Sequence, residues 1–177
     1  MSLSSLALYS QDSVSLAHAE LIELLNSIEL TGKPLGAFQF LAGPRFFNHI
    51  IFLGCAPNIP TLPHQGENYI RISVLLRTNP ILLAGTRAPA PLCPDCKQPF
   101  ERWKTRIGAA EDETISCLQC HASIPVAHLN FRKRACFSRH IIRIEPIFES
   151  EAIPADGFLD SLSRAFSADF KYAYIGS

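Results

Sequence analysis

The chain has 177 residues, 47% of them apolar and 18% charged, an ordinary composition for one folded core with room for a small appended module. Lys+Arg and Asp+Glu both number 16, so the net charge is zero; this argues against a strongly basic, sequence-independent nucleic-acid binder, and the apolar content argues against disorder. The start carries no basic segment of the kind that opens a secretory leader, and the most apolar window, residues 46–55, is broken by Asn48 and His49 and too short to span a bilayer.

Taken in chain order, residues 12–28 predict an amphipathic helix. Asp12 or Ser13 would cap it, Leu21, Leu24, Leu25 and Ile28 would share the buried face, and Glu20 and Glu23 would face water. Gly32 and Pro34 would end it. Residues 35–66 are rich in Pro and Gly, with apolar runs at 38–41 and 46–53, the second of which reads as a buried strand. Residues 55–63 then read as an extended, proline-stiffened loop.

Residues 69–77 alternate, with Ile70, Ile72, Val74 and Leu76 on one face, which predicts a half-buried strand. Asn79-Pro80 predicts a turn and residues 81–83 a further short strand. Residues 88–92 look like a linker. Residues 140–148 alternate again, and Pro146 inside that run predicts an edge strand. Residues 155–166 predict a short helix with Leu159, Leu162 and Phe166 inward, and residues 170–175 predict a closing strand. These elements imply an α+β fold, a mixed or antiparallel sheet with flanking helices. Residues 1–90 and 131–177 would form the main domain, and 91–130 an inserted unit.

That unit holds the most informative pattern in the chain: Cys93-Pro94-Asp95-Cys96 and Cys117-Leu118-Gln119-Cys120, with residues 97–116 between them. Each pair sets two sulfurs on one tight turn, and two such turns supply four ligands at tetrahedral corners, which Zn²⁺ accepts readily. Residues 99–107 read as a strand, 108–113 as a polar turn and 114–116 as a short returning strand. The order knuckle, strand, turn, strand, knuckle resembles a zinc ribbon over roughly residues 91–125, with Trp103 where such modules often carry an aromatic residue. One departure is that Lys97 and His121 stand where a glycine often follows the second cysteine. The resemblance implies one structural zinc per chain on Cys93, Cys96, Cys117 and Cys120. A rubredoxin-like iron site, a thiol redox pair and an iron–sulfur cluster are the competing chemistries. Two separate pairs flanking a predicted hairpin favour one shared metal.

A four-thiolate site is closed and activates no water, so the zinc would fasten a fold too small to hold itself. His121 adjoins Cys120, but a histidine beside a ligand ordinarily points elsewhere. Cys55 and Cys136 read as buried, inert thiols; a nucleophilic role would need a helper such as His49, His64 or His140. The sequence contains no phosphate-binding glycine loop, no His-Glu-x-x-His and no nucleophile elbow, which favours a non-catalytic role and leaves a thiol-dependent enzyme or redox protein as an alternative.

Charge is uneven. Residues 101–143 carry eight basic and four acidic residues, and residues 144–177 two basic and six acidic. The candidate partner surface is therefore Arg102, Trp103, Lys104 and Arg106 of the cysteine unit with Arg132, Lys133, Arg134 and Arg139 beyond it. Basic residues interleaved with aromatics can hold phosphates and stack bases. The sequence thus predicts a small cytoplasmic zinc-ribbon protein, its thiols kept reduced. It would act as a protein-interaction or adaptor module without a membrane. RNA or DNA binding through residues 131–143 is the alternative.

Overall fold

The structure is a computed structural model that describes residues 3–11, 17–53, 59–63, 68–148 and 150–176. Its centre is a six-stranded sheet. In spatial order the strands are β10 (Phe170–Gly176), β1 (Leu3–Ser10), β8 (Ala135–Phe148), β5 (Arg71–Ala84), β3 (Gln39–Ala42) and β2 (Thr31–Gly36). Every neighbouring pair is antiparallel. The fold is α+β, as expected, and the sheet is antiparallel throughout. No described helix is long and apolar enough to cross a membrane.

Helices α1 (His18–Ser27) and α4 (Phe158–Phe166) flank the sheet. On α1, Leu21 and Leu25 are fully buried one turn apart, as the spacing predicts. The helix starts later than residue 12: Ala17, in extended backbone, is its N-cap, so Asp12 and Ser13, which lie outside the described residues, do not open it. The helix ends earlier than Gly32: the Leu30 N–H donates to Leu25 O at 3.1 Å and the Glu29 N–H to Asn26 O at 3.0 Å. Glu29 takes the left-handed conformation, φ 58°. This reciprocal pattern closes the last turn by itself. On α4, Phe158 and Leu162 are the buried pair.

The main core collects the sheet face beneath these helices, including Leu6, Leu8, Phe46, Ile72, Ile142 and Phe170. The opposite face carries a smaller cluster of Ala7, Cys136, Ile141, Ala173 and Ile175. Strand β1 is therefore buried on both sides, which removes the polar alternation that marks a half-buried strand.

Several expectations are corrected. Residues 46–53 are a helical turn, α2 (Phe46–His49), followed by β4 (Ile50–Phe52), which pairs with β9 (Ala152–Pro154). Nor is the run buried as a whole: Phe46 and Ile50 are buried, but Phe47, Ile51 and Leu53 are exposed, and a short apolar run does not choose between helix and strand. Strand β5 does not turn at Asn79-Pro80. It continues to Ala84, and the four residues between Leu76 and Ile81 face the single Arg139 of β8. The bulge takes Pro80, which has no N–H to donate, out of the ladder. Strand β8 is central and not an edge. Its pairing with β5 reaches only to Glu145, and on the β1 side the register shifts between Ser4 and Leu6. Pro146 thus sits where neither ladder requires its missing N–H.

Candidate metal centre

Residues 91–130 run between β5 and β8, two strands that pair with each other along most of their length. The two knuckles in this segment have one geometry repeated. The Cys93 N–H donates to Gln98 O and the Cys117 N–H to Ala122 O, both at 2.8 Å. The Lys97 N–H donates to Cys93 O and the His121 N–H to Cys117 O, both at 3.0 Å. Leu92 bridges to Pro99 around the first turn, and Ser116 pairs with Ser123 around the second. Lys97 and His121 both adopt positive φ, 63° and 60°. The turn therefore demands the left-handed conformation at the position where glycine is usual, and this chain meets the demand with two ordinary residues.

The two turns face each other. Cys93 Sγ lies 3.7 Å from Cys120 Sγ, Cys96 Sγ lies 3.5 Å from Cys117 Sγ, and all four sulfurs fall within 4.8 Å of one another. A tetrahedral site with metal–sulfur bonds of about 2.3 Å has sulfur–sulfur edges of about 3.8 Å. A disulfide would bring its sulfurs to about 2.05 Å. The four residues fit a metal ion such as zinc and are compatible with a zinc-ribbon-like site.

Backbone amides already aim at the sulfurs. The N–H groups of Cys120 and Gln119 lower the Cys117 thiol to about 6. The Ala122 N–H pulls Cys120 the same way, but desolvation and the adjoining thiols prevail and push it up to about 12. Cys96, with the Gln98 N–H against desolvation and its neighbours, is also raised. Four thiols at this distance resist ionising together, and a divalent cation is what relieves that repulsion.

Inside the unit the predicted strand 99–107 is corrected. Phe100 and Trp103 are 2% and 5% exposed. Three residues apart, they would lie on opposite faces of a continuous strand. The strand is broken between them: Arg102 turns to φ 51° and opens the helical turn α3 (Trp103–Arg106), which brings both rings inward. The hairpin β6 (Thr114–Ser116) and β7 (Ser123–Pro125) straddles the second knuckle alone. Phe100, Trp103, Ile115, Cys93 and Cys117 share one apolar cluster with Phe131, which precedes β8, and with Ala135 and Phe137 at its start.

Most of the expected partner surface has a structural task. Trp103 is buried against Phe131, ring centroids 5.4 Å apart, so it offers no exposed stacking face. Lys104 Nζ donates to Gly85 O at 2.5 Å and Thr86 O at 2.8 Å. Arg106 donates to Ser116 O and Glu101 O. Arg139 pairs with Glu111 at 2.6 Å. Arg134 is half-buried near Tyr174. Arg102, Arg132 and Lys133 are exposed. Lys104 thus ties the cysteine unit to the segment just after β5, and Arg139, opposite the β5 bulge, ties it to β8 through Glu111.

Of the two thiols expected to be buried and inert, Cys55 lies outside the described residues, as does His64. Cys136 is fully buried, which pushes its thiol up to about 12 despite the Leu83 amide and keeps it protonated at neutral pH. His49 Nε2 lies 2.9 Å from Ile28 O, and its ring packs on Phe158. His140, 4% exposed, meets Ser10 Oγ at 3.0 Å through Nδ1; its pKa is lowered by burial and then by Arg139 and His18. Ser138 Oγ completes this polar knot by donating to Ser10 O at 2.7 Å.

No family model, curated protein or solved structure matches this chain. The functional reading therefore rests on the geometry of the site.

Proposed function

We propose that this chain is a small zinc-binding protein whose metal is structural and whose role is to bind a partner, not to turn over a substrate. The supporting observation is that four sulfurs on two identically built turns lie within 4.8 Å of one another. Four thiolates fill a tetrahedral metal and leave no position for water or substrate. When bound, the zinc supplies a cross-link in place of a larger core. Cys93 and Cys117, both buried, anchor that link to the apolar cluster of Trp103 and Phe131.

On this reading residues 91–130 are a zinc-ribbon module inserted in an α+β domain made of 1–90 and 131–177. The module acts as an adaptor surface in a reducing compartment such as the cytoplasm, where thiolates stay available for metal. Burial of Cys136 and the pairing of His140 with Ser10 favour this reading over a thiol-dependent enzyme.

Elemental analysis of protein purified without added metal tests the proposal. One zinc per chain is expected, lost when Cys93, Cys96, Cys117 or Cys120 is changed to Ser. Iron, or an absence of metal, would overturn it.

A further inference from the structure

Where the cysteine unit meets the sheet, a cleft of about 450 Å³ opens between residues 127–133 and strands β1 and β10. A second cleft of about 320 Å³ adjoins it and shares His128, Leu129, Asn130 and Arg132. The two form one track from Lys171 and Tyr172, past Arg132, to Lys97 beside Cys93. Among the described residues that line it there is no Asp or Glu. The cations are Lys97, Arg132, Lys133 and Lys171. Lys171 is partly balanced by Asp169, Nζ to Oδ2 3.3 Å.

The central two cations are held in place by an unusual backbone. Arg132 and Lys133 are consecutive non-glycine residues at positive φ, 52° and 57°, a conformation that persists only where the surrounding structure fixes it. Both are exposed. Arg132 donates to Ala90 O at 2.7 Å and Lys133 to the Tyr172 hydroxyl at 2.6 Å. These acceptors are neutral, so the charge remains for a ligand. Lys133 Nζ also sits over the Tyr172 ring, 4.1 Å from its centroid. Phe131, Phe137 and Phe170, nearly buried, make an apolar floor.

We propose that this track binds a short stretch of single-stranded nucleic acid. Arg132 and Lys133 take phosphates, and Tyr172 takes a base on its ring. An arriving phosphate draws the Lys133 ammonium off that ring and frees the face for stacking. The chemistry matches: cations that follow a backbone, an aromatic platform, and no acid to repel it. A duplex hides its base faces and cannot use the platform. The proposal rests on the reading of the chain as a non-catalytic binding module and names its ligand. Local charge also accounts for binding by a protein whose net charge is zero.

Fluorescence anisotropy of the full-length, zinc-loaded protein with labelled oligouridylate and oligothymidylate of about ten nucleotides tests the proposal. Saturable binding that weakens with salt is expected. Arg132→Glu and Lys133→Glu should each weaken it about tenfold or more, and Tyr172→Leu about fivefold or more. Lys33→Glu, on β2 at the far edge of the sheet, should leave it unchanged. Each variant must retain its zinc and the emission of its single tryptophan, which separates lost binding from lost folding. Failure to bind at low salt, equal binding of a duplex, equal damage from Lys33→Glu, or displacement of the strand by uridine monophosphate at matching nucleotide concentration would overturn the proposal. Zinc content measured on the same samples shows whether the metal-centre reading stands when the ligand does not.

Discussion

Trp103 packs against Phe131, ring centroids 5.4 Å apart and planes tilted by 35°. One ring comes from the helical turn that follows the first knuckle, and the other from the turn that opens β8. This contact joins the metal-binding unit to the sheet. Trp103→Ala should therefore cost about 3–5 kcal/mol of stability, the usual range for emptying a buried large aromatic site. Trp103→Phe should cost less. Urea unfolding checks both; a loss below about 1 kcal/mol for the alanine variant would place the join elsewhere.

The same side chain reports on the metal. Trp103 is the only tryptophan, and it shares a cluster with Cys93 and Cys117. Chelation should shift its emission to the red as the unit loosens. Far-UV circular dichroism should keep its strand signal, because the main core is built from other residues. Simultaneous loss of both signals would show that the zinc holds the whole fold.

Gly85, just past the end of β5, packs closely against Gly176 at the end of β10. A Cβ on Gly85 would stand 2.7 Å from Gly176 O, where backbone cannot yield cheaply. Gly85 O also receives Lys104 Nζ. Gly85→Ala should destabilise by about 1–3 kcal/mol, the range for forcing extra volume into a packed site. An unchanged denaturation midpoint would contradict this.

Two buried groups, His140 and Cys136, make stability depend on pH. The folded pKa of His140 lies below its unfolded value of about 6.5. Its contribution is present above that value and is lost as pH falls, because the unfolded chain takes up the proton first. Cys136 is raised to about 12. Its contribution is present below the ordinary thiol range and is lost as pH rises toward that value. At equal metal loading, His140→Gln should flatten the acid side of the stability profile and Cys136→Ala the alkaline side. Profiles parallel to the unmodified protein would sink the assignment.

The metal site was legible in the sequence because it is local. A Cys-x-x-Cys turn carries its own geometry, and only the meeting of two such turns needed the fold. Helices α1 and α4 and strand β10 were legible for the same reason, each burying one face at a regular spacing. Strand β1 was not, because both its faces are buried. Pro80 and Pro146 signalled breaks that bulges absorb. The alternation of residues 99–107 hides the helical turn at Trp103, because the break is the left-handed backbone of Arg102, which no residue type there signals. The cleft was half visible: Arg132 and Lys133 stood out as charge, but Tyr9 and Tyr172 join them only through the pairing of β1 with β10.

On this reading Cys93, Cys96, Cys117 and Cys120 share one zinc, and X-ray absorption at the zinc edge of the purified protein reads out its ligands. Four sulfur neighbours at about 2.3 Å are predicted. A shell containing nitrogen or oxygen, or an edge belonging to iron, would contradict it.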